Sequence, residues 1–274
     1  MSSHPGPPAA PRPVRLRTVA LPAEHGSWSL VAEPILLGLL VAPAWSSLAW
    51  ALAAFMAFLA YQPLSFVWRA VRRDGRRHKW HPRTRLAARV ALLYALLGAL
   101  CLAWALWLTG GAPLRPLGLA LPLLALFAVY DQKPGRRWQA ELSAPAAFAA
   151  IVAAMALAAQ WPTAVAYALW GVMAARALPA VLYVRARLRL VKGQPAQTGL
   201  ALGAHALAVG LGGALVWLGW LPATAVIALL ILLLRAAGGL SPYRRNISTK
   251  TLGFIETGYG LLTVLLVAAG FWLG

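Results

Sequence analysis

Ala164-Val-Ala-Tyr-Ala-Leu-Trp-Gly-Val-Met-Ala-Ala-Arg176-Ala-Leu-Pro-Ala-Val-Leu-Tyr183 is an apolar run that gives way to Arg185, Arg187, Arg189 and Lys192. A helix needs roughly 20 mostly apolar residues to cross a bilayer. Short connections crowded with Lys and Arg stay in the cytosol. The stretch therefore reads as a membrane span that ends on the cytosolic side, with one arginine, Arg176, inside it.

The same pattern repeats outward in both directions. Apolar segments lie near 27–45, 47–68, 86–108, 114–130, 142–159, 164–184, 200–220, 221–237 and 251–273. The fourth is short and the seventh and eighth nearly touch. Alternate connections carry the bases: Arg12, Arg15 and Arg17; Arg69 to Arg89; Lys133, Arg136 and Arg137; Arg185 to Lys192; and Arg235, Arg244, Arg245 and Lys250. The remaining connections hold only Arg115. Of 25 basic residues, 23 fall on one side. The reading is an all-α, polytopic membrane helix bundle of about nine spans, N-terminus cytosolic and C-terminus outside.

Composition agrees, with 61% hydrophobic residues, 11% charged and a mean hydropathy of +0.70. A water-soluble core has no use for so much apolar surface. The net charge of +19 would suit nucleic acid, but the bases lie where membrane topology already demands them, so no nucleic-acid partner is expected. Anionic headgroups of the inner leaflet are the expected neighbours. Residues 1–20 read as a disordered, basic cytosolic tail and residues 21–274 as a single transmembrane domain. Cys101 is the lone cysteine, which leaves no intrachain disulfide or cysteine-cluster metal site.

Ionisable side chains inside a span are costly and mark functional positions by default. Four qualify: Glu33, Arg176, His205 and Glu256. Counting residues from the cytosolic ends at ~1.5 Å each places all four at roughly 7–12 Å depth. Gln62, beside Tyr61, reaches a similar level. Helices running in opposite directions thus put their charges in one slab, which predicts a polar cavity facing the cytosol. Gly26, Ser29 and Glu33 share one helix face, as do Arg176, Tyr183 and Arg187, and so do Thr249, Gly253, Glu256, Gly260 and Thr263. The last stripe, small and polar, is the kind that faces other helices. Two acids against one arginine leave an unbalanced charge for a ligand or a proton to meet. Glu24, His25, Tyr130, Asp131, Lys133 and Glu141 form the cytosolic rim.

On Pro22-Ala-Glu-His-Gly-Ser-Trp28, Leu178-Pro-Ala-Val-Leu-Tyr-Val-Arg185 and the overall layout, the chain resembles the YwiC-like family of bacterial integral membrane proteins. That resemblance implies a multi-pass protein of the bacterial cytoplasmic membrane and carries no activity. It is more distantly similar to UbiA-type intramembrane prenyltransferases, through the nine helices, the cytosol-facing cavity and Tyr130-Asp-Gln-Lys-Pro-Gly-Arg-Arg137. Those enzymes hold Mg²⁺ and a prenyl diphosphate on two Asp-rich motifs. Here the corresponding stretches, Tyr61 to Arg69 and Tyr183 to Lys192, contain no acid. Mg²⁺ wants carboxylate oxygens, so no metal or other cofactor is expected. Arginine binds phosphate directly. The leading expectation is a site for an isoprenoid or other anionic lipid, with Arg176, Tyr183, Arg185, Gln62, His205, Tyr130 and Lys133 as contacts. Were it an enzyme, it would be a divergent prenyltransferase-like transferase with Glu33, Glu256 or His25 handling protons. A small-ion transporter or channel, and a non-catalytic scaffold, are the alternatives.

Overall fold

The computed structural model describes residues 16–21, 25–74, 81–131, 138–244 and 246–274, except for the side chains of residues 25–27, 73 and 74. Its helices, in chain order, are α1 (Arg17–Ala20), α2 (His25–Val41), α3 (Trp45–Asp74), α4 (Pro82–Thr109), α5 (Leu114–Asp131), α6 (Trp138–Phe148), α7 (Ala150–Ala158), α8 (Thr163–Val191), α9 (Thr198–Trp217), α10 (Ala223–Leu240) and α11 (Thr249–Leu273). No strand occurs among the described residues. α6 and α7 join into one apolar stretch, Trp138–Ala158, so 8 segments are long and apolar enough to cross a membrane. The apolar part of α2, Trp28–Val41, is shorter. The protein is a multi-pass helical membrane protein.

Three boundaries differ from the sequence reading. α3 continues past position 68 to Asp74 and α8 past position 184 to Val191, because Arg and Leu are good helix formers and a helix does not stop where the lipid does. Arg185, Arg187 and Arg189 therefore sit on a helix rather than in a connection. Arg69 and Arg83 stack over Phe66 and Arg72 over Trp68, which holds the basic end of α3 and α4 in helical form. α10 runs to Leu240 and takes Arg235 into its interior, so that residue is no part of the basic connection. Gly219, at φ 71°, makes the left-handed turn that separates α9 from α10. Within the stretch read as a tail, α1 packs on α3 and α4 with Val19 buried; positions 1–15 lie outside the described residues.

Two spans form the centre. The α6–α7 span touches α2, α3, α5 and α8, and α8 touches α6, α7, α9, α10 and α11. Their apolar windows are 67% and 56% buried, against 11% for α4 and α5. Lipid gives apolar helices no hydrophobic reason to associate, so close packing of small residues has to hold them. α7, Ala150-Ile-Val-Ala-Ala-Met-Ala-Leu-Ala158, supplies them, and Gly38 of α2 lies against the Met155 side chain. The leucines of α4, such as Leu93, Leu96 and Leu100, are exposed and face lipid.

Beyond the charged slab, away from the basic end, the bundle is filled. Leu37 and Val41 of α2, Leu169 and Met173 of α8, Leu229 and Leu232 of α10, and Val264 and Val267 of α11 belong to one buried apolar cluster.

Candidate functional site

Glu33 sits on α2 and Arg176 on α8, 143 residues apart in sequence, and they meet through two close contacts. Arg176 Nη2 donates to Glu33 Oε1 at 2.9 Å, and Arg176 Nε lies 2.8 Å from Glu33 Oε2. Their side chains are only 6% and 4% exposed, respectively. The first contact is a hydrogen bond and the second a close ion pair, so each buried charge has its opposite beside it. Arg176 Nη2 also donates to the Glu256 carbonyl of α11 at 2.8 Å. α11 can come this close because position 260 is glycine: a methyl group there would overlap Glu33 Oε1 and Arg176 Nη2. One arginine thus ties α2, α8 and α11 at the same level.

The neighbouring half of the slab is built differently. Arg235 Nη1 of α10 lies 3.1 Å from Glu256 Oε1, and the Arg235 guanidinium stands 4.0 Å from the centre of the Tyr183 ring and 5.4 Å from that of Tyr259. Tyr183 is set edge-on to His205, with ring centres 6.5 Å apart. Gly239 leaves the room that the Tyr183 ring occupies. His205 Nδ1 lies 2.8 Å from the Ala201 carbonyl; a carbonyl only accepts, so that nitrogen carries the proton. The charges of Arg235 and Glu256 attract without a well-aligned hydrogen bond, and His205 Nε2 has no hydrogen-bond partner among the described residues. Buried polar atoms left in this state mark places that water or a ligand completes.

Arg235 is the residue that sequence reasoning missed. It restores the charge balance, since Glu33 faces Arg176 and Glu256 faces Arg235. A signal was present: the expected span 221–237 already contains Arg235, although the residue is counted with the basic connection.

The YwiC-like protein family model matches residues 21–156. Over that span the chain is similar to the YwiC-like family. No curated protein and no solved structure matches it. The YwiC-like match contains Glu33 and the α2–α7 packing against which it sits, and ends before Arg176, Tyr183, His205, Arg235 and Glu256. The charged slab therefore joins one residue from the matched part to five beyond it.

The other expected contacts lie apart from the slab. Arg185 Nη1 pairs with Glu141 Oε2 at 2.8 Å, linking the basic ends of α8 and α6. Gln62 is on α3, which packs on α1, α2, α4 and α7; its carbonyl accepts from Ser65 Oγ at 2.7 Å. Next to it, Tyr61 donates to Asp131 and packs on Phe127 of α5. Tyr130 is half-buried at the end of α5. Lys133, Glu24 and the side chain of His25 lie outside the described residues. The expected open chamber is not what surrounds Glu33 and Arg176, because their side chains are buried against each other. The unmet capacity is beside them, at Arg235, Glu256 and His205. Glu256, with a side chain 12% exposed, is the most accessible acid of the slab.

Proposed function

We propose that this membrane protein binds an anionic lipid, an isoprenoid phosphate or diphosphate included, with its headgroup taken in at the basic end beside Arg235. The carrying observation is that the Arg235 guanidinium and the Glu256 carboxylate are buried against each other without aligned hydrogen bonds, next to the open Nε2 of His205. A phosphate oxygen would accept the Arg235 N–H groups in the short, charge-assisted geometry that Glu256 does not provide. Tyr183 of α8 fixes the guanidinium, with His205 of α9 set against the tyrosine ring, and Glu33 with Arg176 serve as the fixed wall of the site. The buried cluster around Leu169, Met173, Leu229 and Val264 blocks the far side, which favours a site with access from one face over a pore.

The test uses purified protein in lipid nanodiscs with a labelled prenyl diphosphate. Wild type shows saturable binding, Arg235→Gln weakens it about tenfold, the loss of one buried charge-assisted bond, and Arg115→Gln at the opposite face leaves it unchanged. Absence of saturable binding in wild type, or equal binding by Arg235→Gln, overturns the reading.

A further inference from the structure

A second basic feature lies outside the bundle interior. Along α8, Leu182, Arg185, Ala186 and Arg189 recur at the three-and-four-residue spacing of one helix face, and with Gln197 and Leu200 of α9 they line a shallow pocket. Tyr183 and Arg187 occupy the opposite, buried face of the same turns, so this pocket is separate from the Arg235 site. Its floor is apolar and its upper edge is basic. Leu200 is 55% exposed, and Arg189 and Gln197 are exposed as well. The first turn of α9 lies at its edge through Gln197 and Leu200, with no side chain capping the helix, and the N–H groups of a helix start carry positive potential. One acid opposes the arginines: Glu141 accepts from Arg185 Nη1.

We infer that this groove between α8 and α9 seats an anionic phospholipid of the leaflet at the basic end, its phosphate between Arg185 and Arg189 and its acyl chain along Leu182 and Leu200. Charge complementarity selects that occupant. The groove lies at the end of α8 that carries Arg185, Arg187 and Arg189, and basic pockets between spans suit anionic headgroups. A soluble protein partner would leave Leu200 and the apolar floor, which sit inside the lipid boundary, without a role. The inference does not depend on the Arg235 site.

Native mass spectrometry of the full chain in detergent, titrated with phosphatidylglycerol or phosphatidylcholine, tests it. Wild type is expected to hold phosphatidylglycerol the tighter of the two. Arg189→Gln, at an exposed position that leaves the Arg185–Glu141 pair in place, is expected to lower the affinity of the tightest-bound phosphatidylglycerol about fivefold, the effect of one base near a headgroup. Leu200→Asn is expected to weaken both lipids, with the unfolding temperature unchanged for either variant. Three results overturn the assignment. Arg189→Gln could bind like wild type. Arg83→Gln on α4 could lower the affinity equally, which makes the effect diffuse surface charge. Inorganic phosphate could displace the lipid as well as phosphatidylglycerol does, which makes the ligand a free anion.

Discussion

At the scale of single residues, Gly260 and the Glu33–Arg176 pair are interdependent. Any side chain at position 260 would occupy the volume of the two charged groups, and neither can retreat, because apolar packing lies beyond them on α2 and α8. Gly260→Ala is expected to cost about 2 kcal/mol or more, as overpacking of a rigid interior does, read as a lowered unfolding temperature in detergent. Arg176→Gln strands a buried carboxylate and is expected to cost about 3 kcal/mol. Glu33→Gln has a comparable effect, yet the double variant falls well short of the sum, since neither charge is then left alone. Additive losses in that cycle would show that the pair is not coupled. The two glutamates were legible in the sequence as rare acids inside apolar runs. Arg176 was legible in the same way, as a partner for either of them, but which glutamate it takes was not, because pairing depends on which helices become neighbours: Arg176 lies 143 residues from Glu33, and no local spacing records that distance.

At the scale of helices, two glycine contacts set how closely neighbours approach, and they differ in what they press on. Gly38 of α2 meets mainly the Sδ and Cε of Met155, the adaptable end of a flexible side chain. Gly239 of α10 meets the ring and hydroxyl of Tyr183, which a second helix and Arg235 hold in place. Gly38→Ala is therefore expected to cost about 1 kcal/mol and Gly239→Ala about 2 in the same unfolding assay. Gly239→Ala should also weaken the prenyl-diphosphate binding proposed above, because it moves Tyr183 off the Arg235 guanidinium. If Gly38→Ala proves the more harmful, the packing argument fails. The spans themselves follow from apolar runs, so their order was readable directly, while the count differs: about nine were expected, and eight of the described segments are long and apolar enough, with Trp28–Val41 shorter. Their ends were misjudged at α3, α8 and α10, because arginine marks where lipid stops while the helix, with its bonds satisfied internally, continues.

At the scale of the whole molecule, the placement of bases sets the orientation, and cysteine labelling checks it. In a Cys101→Ser background, an impermeant maleimide added to intact cells is expected to label Ala112→Cys, between α4 and α5, and to miss Gln194→Cys, between α8 and α9, until the membrane is opened. The reverse pattern would invert the topology. By itself the sequence determined that the chain is a membrane-embedded helical bundle, because that depends only on the transfer of each segment from water to lipid. Only the tertiary structure decided that α8 sits at the centre, that Arg235 turns inward to Glu256, and that Arg185 turns outward to Glu141. Helices of similar apolarity are nearly interchangeable to the lipid, so their arrangement rests on the fit of small residues and the pairing of buried charges, which exist only once the helices have met.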